Sequence, residues 1–161
     1  MRRCLVSALL ALVVGALPGC GDGVDPLPVD GTMHASIVGS GDPWDAEKSL
    51  TATMSSGGNL AITGVENSTI EIKLTVYDAA VGTFTGTGGE TVPKVEATYG
   101  DGRTFSYSSA GFGGTARVTI TELSVTKAVG TFEFLAFPLR IDLQGTPSYR
   151  VVNGTFNVTI R

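Results

Sequence analysis

One histidine, His34, lies in the alternating segment Met33 to Val38. A Ser/His/Asp relay through it would need a serine and a carboxylate to converge there, and no nucleophile-elbow sequence occurs downstream of residue 20. A strand-surface histidine is the simpler reading. Glu71, Glu96 and Glu122 would serve a glycosidase-like hydrolysis only if two of them met in a cleft within about 5 to 10 Å. Asp42, Asp45 and Glu47 sit close enough in one loop to offer oxygen ligands to calcium, but their spacing is not that of an EF-hand loop. A solvated acidic turn is the simpler reading of all three. Trp44, the sole tryptophan, stands in the same segment and is a candidate binding anchor, against the commoner role of packing into the core of a β domain. The clusters Gly39-Ser40-Gly41 and Gly111-Phe112-Gly113-Gly114 lack the lysine and helix that follow a phosphate-cradling loop, so they read as turns. No catalytic residue and no cofactor is expected from these patterns.

The one residue whose chemistry has a clear setting is Cys20. Met1-Arg2-Arg3 is a basic start, and Cys4 to Ala16 is an uncharged run long enough for a signal core and too short to span a bilayer as a helix. Leu17-Pro18-Gly19-Cys20 closes this leader and resembles the lipobox of bacterial lipoproteins. That resemblance implies cleavage after Gly19, with lipid carried on the sulfur and amino group of Cys20. Residues 1–19 are therefore expected to be a cleaved signal helix. With Cys4 removed and Cys20 acylated, the body has no thiol for a disulfide, and one histidine cannot complete the usual zinc sets.

Two of the 11 Lys+Arg and none of the 15 Asp+Glu lie in the leader, so the processed chain would carry a net charge of −6. Its basic residues are scattered singly, which excludes the basic footprint of an electrostatic nucleic-acid binder. Residues 20–31, the acylated cysteine followed by a Gly/Pro/Asp-rich stretch, read as a flexible tether able to hold a domain roughly 30 Å from a membrane. Residues 32–161 are enough for a single domain with a self-sufficient core.

The elements that must position any site are strands. From Thr69 to Tyr77, Ile70, Ile72, Leu74 and Val76 alternate with Glu71, Lys73, Thr75 and Tyr77, one face apolar and the other wet. The same period of 2 runs through Leu50, Ala52 and Met54, through Leu60 and Ile62, and through Val95, Ala97 and Tyr99. It returns in Phe105 and Tyr107, in Phe132, Phe134 and Ala136, and in Phe156, Val158 and Ile160. Turn dipeptides separate these runs, with Asp101-Gly102 the clearest hairpin signal. Val118 and Ile120 are out of phase with Leu123 and Val125, which predicts a bulge near Thr121 and Glu122. No sustained 3.6 period follows the leader. The expectation is an all-β antiparallel sandwich or small barrel of roughly nine to ten strands.

Gly82-Thr83-Phe84, Gly130-Thr131-Phe132 and Gly154-Thr155-Phe156 form an internal echo. It is explained structurally by a glycine at a turn or bulge, a β-branched residue facing out and an aromatic facing in. Trp44-Asp45-Ala46 near the domain start, Gly130 to Phe134 as Gly-Thr-Phe-x-Phe, and the terminal Asn153-Gly154-Thr155-Phe156 are similar to motifs of small all-β bacterial lipoproteins of unknown function. The resemblance implies a fold and carries no activity or site with it.

These readings together predict a lipid-anchored protein of the bacterial cell envelope, with a non-enzymatic β domain in a structural or binding role. Its membrane contact runs through lipid on Cys20, its other partner is an envelope protein or glycan, and the resemblance to bacterial lipoproteins, with Gly21 after the cysteine in place of an acidic retention signal, implies the outer membrane. The alternative is a small-molecule or lipid carrier whose barrel interior is lined by Phe84, Phe105, Phe132, Phe134 and Phe156.

Overall fold

A computed structural model of the chain describes residues 31–38, 43–67, 69–102, 106–139 and 148–161. The leader, Cys20 and the tether as far as residue 30 lie outside the described residues, as do Asp42 and Phe105, while Gly31, the last residue of the expected tether, opens the first strand. Where apolar and polar residues alternate, the backbone is extended. The strands are β1 (Gly31–Val38), β2 (Pro43–Asp45), β3 (Ser49–Met54), β4 (Leu60–Glu66), β5 (Ile70–Val76), β6 (Gly82–Thr87), β7 (Val95–Asp101), β8 (Ser106–Ser108), β9 (Thr115–Leu123), β10 (Lys127–Pro138) and β11 (Tyr149–Thr159). No helix occurs among the described residues. The strand expected from Thr69 to Tyr77 is β5, which buries Ile72, Leu74 and Val76 completely while Glu71 and Lys73 stay exposed.

All named strand pairs are antiparallel, and together they make one curled sheet, a half-barrel closed on its own core. The main path runs β2-β1-β11-β10-β8-β7-β5-β4-β3, with β9 added to β10 and β6 to β9. Strand β10 joins the two limbs. Its residues Lys127 to Ala136 pair with β11 and β9, and Phe137 and Pro138 then pair with β8. At the far margin Ala52 of β3 bridges Ile160, and the Ala52 carbonyl accepts from the Arg161 amide at 3.0 Å.

The all-β antiparallel expectation therefore holds, with eleven strands rather than nine or ten. The additional strand is β2, whose three residues are too few to show a period. The hairpin expected at Asp101-Gly102 is the β7–β8 pair, with Gly102 at φ +70°. Thr121 is the extra residue of a bulge, because Glu122 pairs with Val129 and Ile120 with Gly130.

Register also accounts for the Gly-Thr-Phe echo. Across β10 and β11, Phe132 faces Gly154, Thr131 faces Thr155 and Gly130 faces Phe156. Each aromatic lies over the other strand's glycine: a Cβ on Gly154 would stand 2.6 Å from three Phe132 ring atoms, and one on Gly130 2.5 Å from Phe156 Cζ. The glycines sit inside strands, beside bulges, where only a missing side chain lets the rings close over the backbone. Phe132, Phe134 and Phe156 are 3, 3 and 2% exposed, and their centroids stand 6.4 and 6.5 Å apart.

Candidate functional site

The outward face of β6, β9, β10, β11, β1 and β2 brings the sequence's polar candidates into rows. One row crosses all six strands: Thr83, Thr119, Thr131, Thr155, His34 and Asp45 are successive register partners. Three of its threonines are those of the echo, which is why the echo recurs. Thr83 and Thr119 hydroxyls are hydrogen-bonded at 3.0 Å. At the other end His34 Nδ1 pairs with the Asp45 carboxylate, both side chains about half exposed. A polar pair of two half-exposed side chains contributes at most about 1 kcal/mol.

The neighbouring row holds Thr85, Arg117 and Glu133. Arg117 Nε stands 3.7 Å from Glu133 Oε1, and this loose pair divides two shallow depressions. The first, about 320 Å³, is lined by side chains that include Thr87, Thr115 and Arg150. The second, about 420 Å³, lies beside Thr131, Asn153 and Thr155. Asn153 occupies the left-handed region at φ +53°, in a bulge of β11 that shifts its register against both β1 and β10. A strained non-glycine residue at a sheet centre re-aims its side chain, here towards the depression. The lining offers hydroxyl, amide, guanidinium and carboxylate groups, a set that hydrogen-bonds polar ligands.

The remaining candidates are not drawn together. Glu71 and Glu96 lie four positions apart on the β5–β7 ladder, opposite Gly100 and Thr75. Glu122 is on β9 and accepts from Lys127 Nζ at 3.0 Å. Burial and the nearby charge of Glu96, which also hydrogen-bonds the phenol, raise the Tyr77 pKa. Asp45 belongs to strand β2 and not to an acidic loop, and Glu47 is exposed in the turn beyond it. Among the described residues no three His, Cys, Asp or Glu side chains gather as a metal set.

Trp44 is a core residue and not the exposed binding anchor weighed from the sequence. It is 1% exposed, pointing inward from β2 between two outward neighbours. Gly64 of β4 makes the space: a Cβ there would lie 2.7 Å from Trp44 Cη2 and 2.9 Å from Met33 Sδ. The indole Nε1 is buried with no acceptor among the described residues. A single tryptophan gives no periodic signal from which its burial can be deduced, whereas the row of hydroxyls left a trace in the repeated Gly-Thr-Phe.

A family described as Domain of unknown function (DUF6252) matches residues 36–159, so the chain belongs to that family. Neither the curated proteins nor the solved structures gave a match.

Proposed function

We propose that this member of the DUF6252 family is a lipid-anchored protein of the bacterial cell envelope, with a β domain in a non-enzymatic binding or structural role. The observation that carries the reading is the order Met1-Arg2-Arg3, uncharged run, Leu17-Pro18-Gly19-Cys20, followed at once by a Gly/Pro/Asp stretch. The family match begins at residue 36 and β1 at Gly31, the last residue of the expected tether. In this reading lipid on Cys20 holds the chain to the membrane, the outer membrane by the identity of Gly21, and the polar six-strand face meets an envelope protein or glycan.

The carrier alternative asked for phenylalanines lining an open interior. Phe132, Phe134 and Phe156 instead pack ring against ring in the core, and the two depressions open on the outer, polar face. These observations favour a surface-binding role.

The test is membrane fractionation of the full chain and of Cys20→Ala, with palmitate labelling of both. The unmodified chain is expected in the membrane fraction with label, and the variant unlabelled and soluble. A Cys20→Ala chain that stays equally membrane-bound overturns the anchoring claim.

A further inference from the structure

A sheet edge presents unpaired backbone groups, and proteins cover or blunt such edges. Among the described strands, β2, β3 and β6 are edges. β2 is three residues long, opens with Pro43 and ends with Asp45. β3 is met by Ile160 and Arg161. β6 has neither device: Gly82-Thr83-Phe84-Thr85-Gly86-Thr87 carries no charge and no proline, and pairs with β9 on one side only.

The apolar row beneath this edge is also unfinished. Phe84, Val118 and Phe132 are register neighbours, yet Val118 and Phe132 are 1 and 3% exposed while Phe84 is only partly buried. Val81, immediately before the strand, is 64% exposed, and a Cβ on Gly82 would have nothing within 4 Å. At Gly86 the nearest atoms on the inward side belong to Val95, so β7 packs beneath the strand and does not add to its ladder.

The sequence of the edge supplies its own complement. Gly82-Thr83-Phe84-Thr85-Gly86 reads identically in both directions. An antiparallel pair made about a two-fold axis at Phe84 sets Phe84 against Phe84, Thr83 against Thr85 and Gly82 against Gly86 at every position. Aromatic and threonine pairs directly opposite each other are favourable cross-strand pairs, and the Thr83–Thr119 hydrogen bond shows the same threonine pairing already in use. We propose that β6 is a self-association edge, through which a second copy of this chain adds its own β6 and covers Phe84. The two six-strand layers then run on as one sheet, and the closed two-fold leaves no further copy of this edge free to propagate. One short strand and two aromatics bury less than a standard interface, so the dimer belongs to the weak, concentration-dependent class.

Sedimentation velocity of the full chain over a wide concentration range reads the association. A reversible monomer–dimer equilibrium is expected. In the variant Thr83→Lys/Thr85→Lys, both exposed positions place like charges opposite each other across the axis, and dissociation should rise at least about tenfold. Mixing it with Thr83→Glu/Thr85→Glu should restore the dimer as a heterodimer. Hydrogen exchange of the unmodified chain should show β6 amides gaining protection as concentration rises, a readout independent of the variants. A chain monomeric at every concentration, a lysine variant that dimerises as the parent does, a mixture no tighter than its components, or concentration-independent β6 exchange each overturns the proposal.

Discussion

Replacing Gly154 by alanine tests the reciprocal glycine–phenylalanine packing of β10 and β11. The added Cβ would lie 2.6 Å from Cδ2, Cε2 and Cζ of Phe132, where carbon atoms rest about 3.5 to 4.0 Å apart. The ring must therefore withdraw by roughly 1 Å. It has little room, since Phe132 is 3% exposed with Phe134 and Phe156 rings 6.4 and 6.5 Å away. Overpacking of this kind costs about 1 to 3 kcal/mol. Alanine recovers about 0.4 to 1 kcal/mol by restricting the unfolded chain, because Gly154 is not among the positive-φ glycines. The expected net loss is about 1 to 2 kcal/mol, or a fall in Tm of roughly 3 to 10 °C for a domain of this length. Chemical denaturation followed by circular dichroism measures it. The decisive variant is Gly154→Ala with Phe132→Leu: a smaller side chain removes the clash, so the two changes should be non-additive by about 1 kcal/mol or more. Neutral Gly154→Ala, or strict additivity of the pair, would refute the reasoning. Gly130→Ala should be the harsher change and resist rescue by Phe156→Leu, since its Cβ also meets the Thr119 carbonyl oxygen at 2.2 Å and backbone cannot be trimmed.

Trp44→Ala should cost about 3 to 5 kcal/mol, and the single-tryptophan emission of the parent should be blue-shifted, shielded from acrylamide and red-shifted on unfolding. Burial first, then the neighbouring Tyr149, Asp101, Glu66 and Tyr107, pushes the Tyr99 phenol up to about 12 from 10.0. A raised phenol keeps its proton in the fold while the unfolded chain loses it. Its contribution is therefore complete below pH 10 and lost between 10 and 12, so thermal melts across that window should fall less steeply for Tyr99→Phe. Asn153→Gly should be neutral or slightly stabilising and Asn153→Val should lose about 1 to 2 kcal/mol, because a β-branched residue resists φ +53°; urea midpoints distinguish the two.

Much of the sheet was legible because its strands are half-buried. Ile70 to Val76 declares its inward face by alternation, and the phase change between Ile120 and Leu123 narrows the bulge to Thr121 and Glu122, of which Thr121 is the extra residue. β2 escaped because three residues, one a proline and one an aspartate, carry loop chemistry, and what makes them a strand is the pairing of Trp44 with Ala35. The buried place of Trp44 depends on Gly64, a glycine twenty residues downstream whose role no local pattern announces. The polar face was visible only as the repeated threonine of Gly-Thr-Phe. That Thr83, Thr119, Thr131 and Thr155 stand in line is a matter of register between strands, which composition and period do not encode.

The pairing of β1 with β11 has a consequence for the order of folding. Gly31 meets Val158 and Val38 meets Arg150, so the first described strand has no ladder partner but β2 until residues 150–158 have emerged. The β3-β4-β5 meander closes through neighbouring strands and needs only short loops, which close fast. A chain delivered from its N-terminal end would thus assemble the meander while β1 and β2, paired only with each other, wait for β11 to seal them and complete the enclosure of Trp44. Trp44 fluorescence in refolding should accordingly report the final step, lagging the circular dichroism of the sheet.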